Sequence, residues 1–462
     1  MSHHPVLDRE TQEGDRPTSF VPSEAGRQDA TGDTTGATLA GIRPAEEILV
    51  PDAEDVVPGS ASHHQHGSDP VVSQTMVLNM GPQHPSTHGV LRLVLEVDGE
   101  TVVSLAPDIG YLHTGIEKTC EAKFYNQVTP LTDRIDYLCP MTNNTAYALA
   151  VEKLLGLEVP ERAQILRVLL NELTRIQSHL VWLGTHAMDI GALTVFLYCF
   201  REREELLRIF EAVSGQRMMG SYIRIGGVAL EPPAGIYDRI RSFLNDFPQH
   251  ISEYEGLLNA NPIWIGRLKD VGHLSAADAI ALGVTGPSLR ASGVDFDLRR
   301  DMPYSSYERF KFNVPVSNGC DVWARYLVRM QEMRESTLIC HQALDLLATL
   351  HHQPLHADAP KILLPDREKM KTQMESLIHH FKIVTEGFQV PAGEATSSVE
   401  APHGMMNYYV VSDGTSKPYR VHMRNADFAN LQALETMCKG RMIADVVAVI
   451  GSIDIVLGAI DR

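Results

Sequence analysis

The chain has 462 residues, with 58 acidic side chains against 40 basic ones and a formal net charge of −18. Residues 1–70 carry half of that excess, with 13 acids, four arginines and no lysine. So acidic a chain lacks the basic surface that phosphate contacts require, which excludes a nucleic-acid binder; the 44% hydrophobic content leaves a globular remainder large enough to bury its own core.

Residues 1–70 contain one aromatic, Phe20, among many Gly, Ser, Thr, Asp and Pro. That is too little apolar area to offset the entropy of ordering, so a disordered acidic tail is expected, with His63, His64 and His66 in a solvated linker. Residues 71–120 read as a small antiparallel β unit. TMVLNM is one strand, Val90, Leu91, Leu93 and Leu95 belong to a second, and Asp98-Gly99 marks the hairpin turn before a third.

Residues 121–355 form a helical core. Apolar periodicity predicts helices over 145–157, 161–189, 195–214, 236–259, 275–282 and 321–349. Pro160 suits the entry to the long 161–189 helix. Ile165, Leu169, Leu173, Ile176 and Leu180 make its apolar row. Glu172, His179 and His186, spaced by seven, make a polar row that reads either as a buried network or as the wall of a cleft.

Residues 356–462 are a C-terminal α+β segment. A helix is predicted over 369–381, then a hairpin from 404–411 and 418–424 around Asp413-Gly414, then Asn425-Ala-Asp427 leading into the last helix. Residues 442–460 are apolar and long enough to span a bilayer. Asp445 and Asp454 interrupt them, at about 2.5–3.5 kcal/mol each near a bilayer centre, so a buried C-terminus is expected instead. No secretory signal pattern opens the chain. The fold class is α+β: an N-terminal β unit, a central helical bundle and a C-terminal α/β segment.

Phosphate-loop, nucleophile-elbow, H-E-x-x-H and strand-linked dinucleotide motifs are all absent from the sequence. The six cysteines lie at least 19 positions apart, without a C-x-x-C pair, and read as reduced buried thiols. His84 and His88 are four apart, but Pro85 makes their segment a loop rather than a helix face, which argues against a zinc clamp. Three polar concentrations remain: GPQHPSTHGV at 81–90, TDRIDY at 132–137 and HAMDIG at 186–191. A His near pKa ~6.5, a Tyr near ~10 and a carboxylate to orient the imidazole can together donate protons, although each also fits a turn or cap.

GPQHPSTHGVLRLVLEVDGE, IGYLHTGIEK, LTDRIDY, THAMDIGA, SLIHHFK, PYRVHMR and ADVVAVIGSIDIVLGAIDR resemble, in order over about 71–462, the quinone-site D-type family of the proton-pumping NADH–quinone oxidoreductase, respiratory complex I. That family resembles the large subunit of nickel–iron hydrogenases. Here, however, only Cys139 of the 134–139 run could stand for a metal ligand, and Val456 and Ala459 stand where C-terminal thiolates would be. A soft-metal centre cannot be held without those sulfurs, so no metal is expected in this chain and a hydrogenase-type relative is disfavoured.

The resemblance implies a pocket in which His88 and Tyr137 hydrogen-bond the quinone, Asp189 pairs with His88, and Arg134 adds positive potential. It implies no cofactor bound by this chain alone, and an iron–sulfur cluster in the adjacent B-type subunit of complex I. The C-type and I-type subunits and the H-type membrane subunit are further implied partners, with a peripheral place on the cytoplasmic face of the cell membrane. A non-catalytic core subunit of the same complex is the competing expectation. Two departures stand out. His113-Thr114-Gly115 lacks an arginine common in relatives, and Met219 occupies a position often held by histidine in ubiquinone users. A neutral Met219 removes a pH-linked stabilisation of the cluster's electron, which suits menaquinone. A redox titration of the partner's cluster should therefore show a low potential with little pH dependence; a steep pH slope would contradict this.

Overall fold

A computed structural model describes residues 75–462. The expected tail at 1–70 lies outside them. The chain opens with an antiparallel sheet in the order β1 (Met76–Met80), β2 (Arg92–Asp98), β3 (Thr101–Asp108). Leu93, Leu95 and Val97 alternate inward from β2 and are fully buried. Asp98 pairs with Thr101, so the turn is Gly99-Glu100, one residue beyond the expected dipeptide.

The helices follow: α1 (Ile116–Glu121), α2 (Tyr125–Thr132), α3 (Pro140–Leu155), α4 (Glu161–Asp189) and α5 (Leu193–Ser214). A short ribbon, β4 (Ile223–Arg224) with β5 (Gly227–Val228), precedes α6 (Ile236–Leu258), α7 (Pro262–Leu268), α8 (Ala276–Ala281), α9 (Pro287–Arg290), α10 (Leu298–Asp301) and α11 (Val322–Thr349). Pro140 at the first position starts α3 five residues before the expected boundary, and Asp321 caps α11 through Ala324 N at 2.7 Å. The α4 helix packs on α5 and α11, and α6 packs on the same pair, which makes the central bundle.

The last part is α12 (Arg367–Thr372), α13 (Met374–Thr385), a sheet β6 (Gly393–Ala401), β7 (Gly404–Ser412), β8 (Arg420–Arg424), then α14 (Ala426–Gln432), α15 (Leu434–Cys438), α16 (Ile443–Ile453) and α17 (Leu457–Asp461). The single helix expected at 369–381 is two, because Gln373 adopts an extended conformation between them. The apolar C-terminus breaks at Asp454, whose φ is +53°, and no described helix is long and apolar enough to cross a membrane. The fold is α+β.

The polar row on α4 is a buried network, with one member set apart. Glu172 accepts from Arg175, Arg299, Tyr307 and Ser336. Burial opposes its charge, but the two arginines hold its carboxyl down at about 2. His179 Nε2 lies 2.8 Å from Glu332, which in turn pairs with Arg290 at 2.6 Å. His186 has no hydrogen bond to either ring nitrogen among the described residues and sits between Trp182 and Trp264. Burial, then Arg329 and Arg325, lower its pKa to about 3, so it is a neutral packing ring.

Arg290 is the knot of this web. It donates from α9 to Glu332 on α11 and to Glu400 on β6, and every member is at most 1% exposed. Removing one partner of such a pair leaves a buried charge unanswered, at about 3–5 kcal/mol. Arg290→Met should lower the melting temperature accordingly, whereas Arg300→Met, whose bonds are exposed, should change it little; equal effects would contradict this ranking.

Candidate functional site

The β6–β7 hairpin turns through Pro402-His403, between the paired Ala401 and Gly404. A polar hairpin tip would ordinarily face solvent, yet His403 is 1% exposed. Close backbone approach allows this. A Cβ on Gly286 would sit 2.3 Å from Gly404 Cα, and one on Gly404 would sit 2.7 Å from Thr285 Oγ1. Asn430 Nδ2 donates to His403 O at 3.2 Å and holds the tip down.

Carboxylates from three other parts of the fold converge on the ring. His403 Nδ1 lies 2.6 Å from Asp136 Oδ2, in the turn between α2 and α3, and 4.0 Å from Asp427 Oδ1 on α14. His403 Nε2 lies 3.4 Å from Asp454 Oδ2, at the end of α16, and 3.2 Å from Ser178 Oγ on α4. Burial works against a charged ring, but Asp136, Asp454 and Asp427 outweigh it, so the pKa of His403 stands well above its ordinary value. The group is a buried imidazolium at neutral pH. Burial likewise works to raise Asp136, and the His403 charge reverses this and holds it low. Asp427 has the more distant contact. Burial raises it, His403 only partly offsets that, and its carboxyl titrates at about 7.

The sequence-predicted residues lie around this cluster. Tyr137 follows Asp136 and is half-buried, and its hydroxyl makes no hydrogen bond to the described residues. Burial, Asp136 and Asp427 raise its pKa while His403 lowers it. His88 ends the one-turn helix Pro85–Thr87 in a left-handed conformation, φ +55°, and its ring makes no hydrogen bond to the described residues. It keeps exposed surface, yet surrounding protein lowers its pKa, against the opposing pull of Asp189 and Asp454. Asp189, at the end of α4, feels the charges of His88 and His84, but no ion pair within 4 Å joins it to His88 among the described residues. Burial raises its carboxyl. Arg134 is exposed and donates to Pro130 O. The charges acting on Tyr137 are those of Asp136, Asp427 and His403 rather than that of Arg134.

Asp136, Cys139 and His403 bring one nitrogen, oxygen or sulfur each within 4.8 Å of one another. Their protons argue against a metal centre. Cys139 Sγ donates to Asp136 at 2.9 Å, and its thiol is pushed well up by burial and by Asp136. With His403 charged, two of the three groups hold their protons and offer a cation no lone pair. The 134–139 and 454–462 segments, which the sequence sets beside hydrogenase ligand regions, thus meet at an imidazolium–carboxylate cluster. Val456 N donates to Asp427 at 2.9 Å, and the apolar Val456 and Ala459 are buried.

Sequence reasoning missed His403, and it read Asp454 only as an interruption of an apolar run and Asp427 only as a helix leader. The available signal was Pro402-His403-Gly404, a hairpin turn with a titratable side chain. The departure at His113 has a structural counterpart: its Nδ1 meets Asp461 O at 2.7 Å, while the Asp461 carboxylate accepts from Gly110 N and Leu112 N.

Residues 189–462 match the family described as the respiratory-chain NADH dehydrogenase 49 Kd subunit. One of two numbered D subunits of the NADH-quinone oxidoreductase of Koribacter versatilis is 70% identical over 389 residues, which cover 84% of this chain and 96% of that protein. The D subunit of the NADH-quinone oxidoreductase of Geotalea uraniireducens is 57% identical over 390 residues, covering 84% and 99%. A D subunit of the same enzyme in Chloroflexus aurantiacus is 55% identical over 417 residues, covering 90% and 100%.

The raised carboxyl of Asp427 has a stability consequence. Its folded pKa of about 7 exceeds the ordinary 3.8, so the folded state loses stability as pH rises from the lower value through the higher. Asp427→Asn should leave the melting temperature at acid pH nearly unchanged and raise it at alkaline pH. A difference between the two proteins that is independent of pH would contradict the assignment.

Proposed function

Since the chain belongs to the respiratory-chain NADH dehydrogenase 49 Kd subunit family, we propose that it forms the quinone-reducing pocket of an NADH–quinone oxidoreductase, jointly with an iron–sulfur subunit. Its relatives are named as subunits of that enzyme, and other subunits of the complex are its partners. The observation that carries the pocket is a pair of free proton donors. The Tyr137 hydroxyl and the His88 ring are unbonded to the described protein, and both lie in the field of carboxylates that surround one buried imidazolium. Donors held without a protein acceptor are available to the two carbonyl oxygens of a quinone.

The chemistry follows from acidities. The iron–sulfur partner supplies two electrons, and reduction makes the quinone oxygens strongly basic. Tyr137, with its raised pKa, gives its proton only to such a base, so donation follows reduction. His88 is shifted the other way: its imidazolium is a stronger acid than free histidine and releases its proton readily. Asp189 supports that imidazolium and loses its counter-charge when the proton leaves, which would free Asp189 to move. Two protons and two electrons convert quinone to quinol, and proton pumping would draw on that charge change. Quinones are lipid-soluble and no described helix spans a membrane, so entry runs through the H-type membrane partner. The chain is then peripheral, on the cytoplasmic face beside the B-type, C-type and I-type partners, and Met219 favours menaquinone.

Tyr137→Phe should lower quinone reduction by about 10²-fold, the usual scale for a lost general acid. Electron entry from NADH to a water-soluble acceptor should stay intact in the assembled complex. Asp189→Asn should alter quinone kinetics without preventing assembly. A scaffold role instead predicts that both variants turn over quinone at the normal rate.

A further inference from the structure

Tyr137 and His88 are 49 positions apart in the sequence, yet the same buried ring stands behind both. Asp136 and Asp427 are two of the carboxylates that pair with His403, and both act on Tyr137. Asp454, the third, acts on His88, and its Oδ2 has no hydrogen-bond partner among the described residues although it is buried. The other groups facing the cluster are Ser178 on α4, the Cys139 thiol, and Arg329 on α11, whose Nε lies 3.9 Å from Asp454. Arg329 is committed elsewhere, donating to Ser452 O at 2.7 Å and lying over the Trp182 ring at 4.7 Å.

We propose that His403 is a positioning residue for quinone reduction: its fixed positive charge balances Asp136, Asp427 and Asp454 and so sets the ease with which both Tyr137 and His88 part with a proton. The inference rests on the quinone-pocket reading and deepens it. His403 does not transfer a proton. The Tyr137 O–H bond breaks, its proton goes to a reduced quinone oxygen, and a phenolate remains beside Asp136. Without His403 that phenolate would form next to uncompensated carboxylates. It would then form less readily, and the deficit would be largest where those carboxylates are ionised.

The sign of the pH effect follows. His403 lowers the Tyr137 pKa and is the largest influence holding Asp136 down. In His403→Gln the carboxylates should titrate nearer neutrality, and as pH falls their protonation relieves the repulsion. Quinone reduction by the assembled complex should therefore lose kcat more than KM. The ratio of its rate at about pH 6 to that at about pH 8 should rise roughly tenfold above wild type, the equivalent of one pKa unit. His403→Lys, which restores a positive charge, should recover part of the wild-type ratio.

Tyr137→Phe is measured alongside. If it is impaired while His403→Gln keeps the wild-type ratio, the inference on His403 is overturned and the pocket stands. If Tyr137→Phe turns over normally, the pocket reading itself falls. Should His403→Gln fail to assemble, judged by electron entry from NADH to a soluble acceptor, Asp427→Asn decides. Removing one carboxylate should shift the ratio in the opposite direction, and an unchanged ratio overturns the proposal.

Discussion

The site depends on one electrostatic constraint: an imidazolium placed where water cannot reach it. An isolated buried charge would be neutralised or expelled. His403 keeps its proton because the hairpin tip, the α2–α3 turn, α14 and the end of α16 each bring a polar or ionised group to it. Four separate stretches of chain are thereby fixed relative to one another. The two unbonded donors sit at the edge of that fixed centre, Tyr137 beside Asp136 and His88 within the field of Asp454.

The wider interior uses the same principle. Arg175, Arg290 and Arg299 are matched by Glu172, Asp297, Glu332 and Glu400, all buried and mutually bonded. Such webs contribute little net stability compared with apolar packing, but they penalise any misregistered arrangement heavily. Here the web ties β6 to α9 and α11, and so fixes the hairpin that carries His403. Hydrophobic burial makes the bundle; the ion pairs set where its C-terminal sheet rests.

What could be read from the sequence follows from this division. Periodicity and Pro160 locate α4 with its observed limits, because helix entry and apolar rows are local. The strands β2, β7 and β8 alternate visibly. The strand β6 does not: Gly393–Ala401 is built of Ala, Thr, Ser, Glu and one Val, since its inner end faces ions rather than aliphatic side chains. The seven-residue row on α4 left a network and a cleft wall equally open, and only distances separate the two. Tyr137, His88 and Asp189 were reached through family resemblance. Their shared support, His403 with Asp427 and Asp454, depends on contacts as far as 267 positions apart and left no local pattern.

A structure of the assembled complex with a quinone bound tests the central claim most directly. It should place one carbonyl oxygen within about 2.6–3.2 Å of the Tyr137 hydroxyl and the other within the same reach of the His88 ring. His403 should remain paired with Asp136 behind them. A headgroup bound beyond hydrogen-bond reach of both Tyr137 and His88 would contradict it.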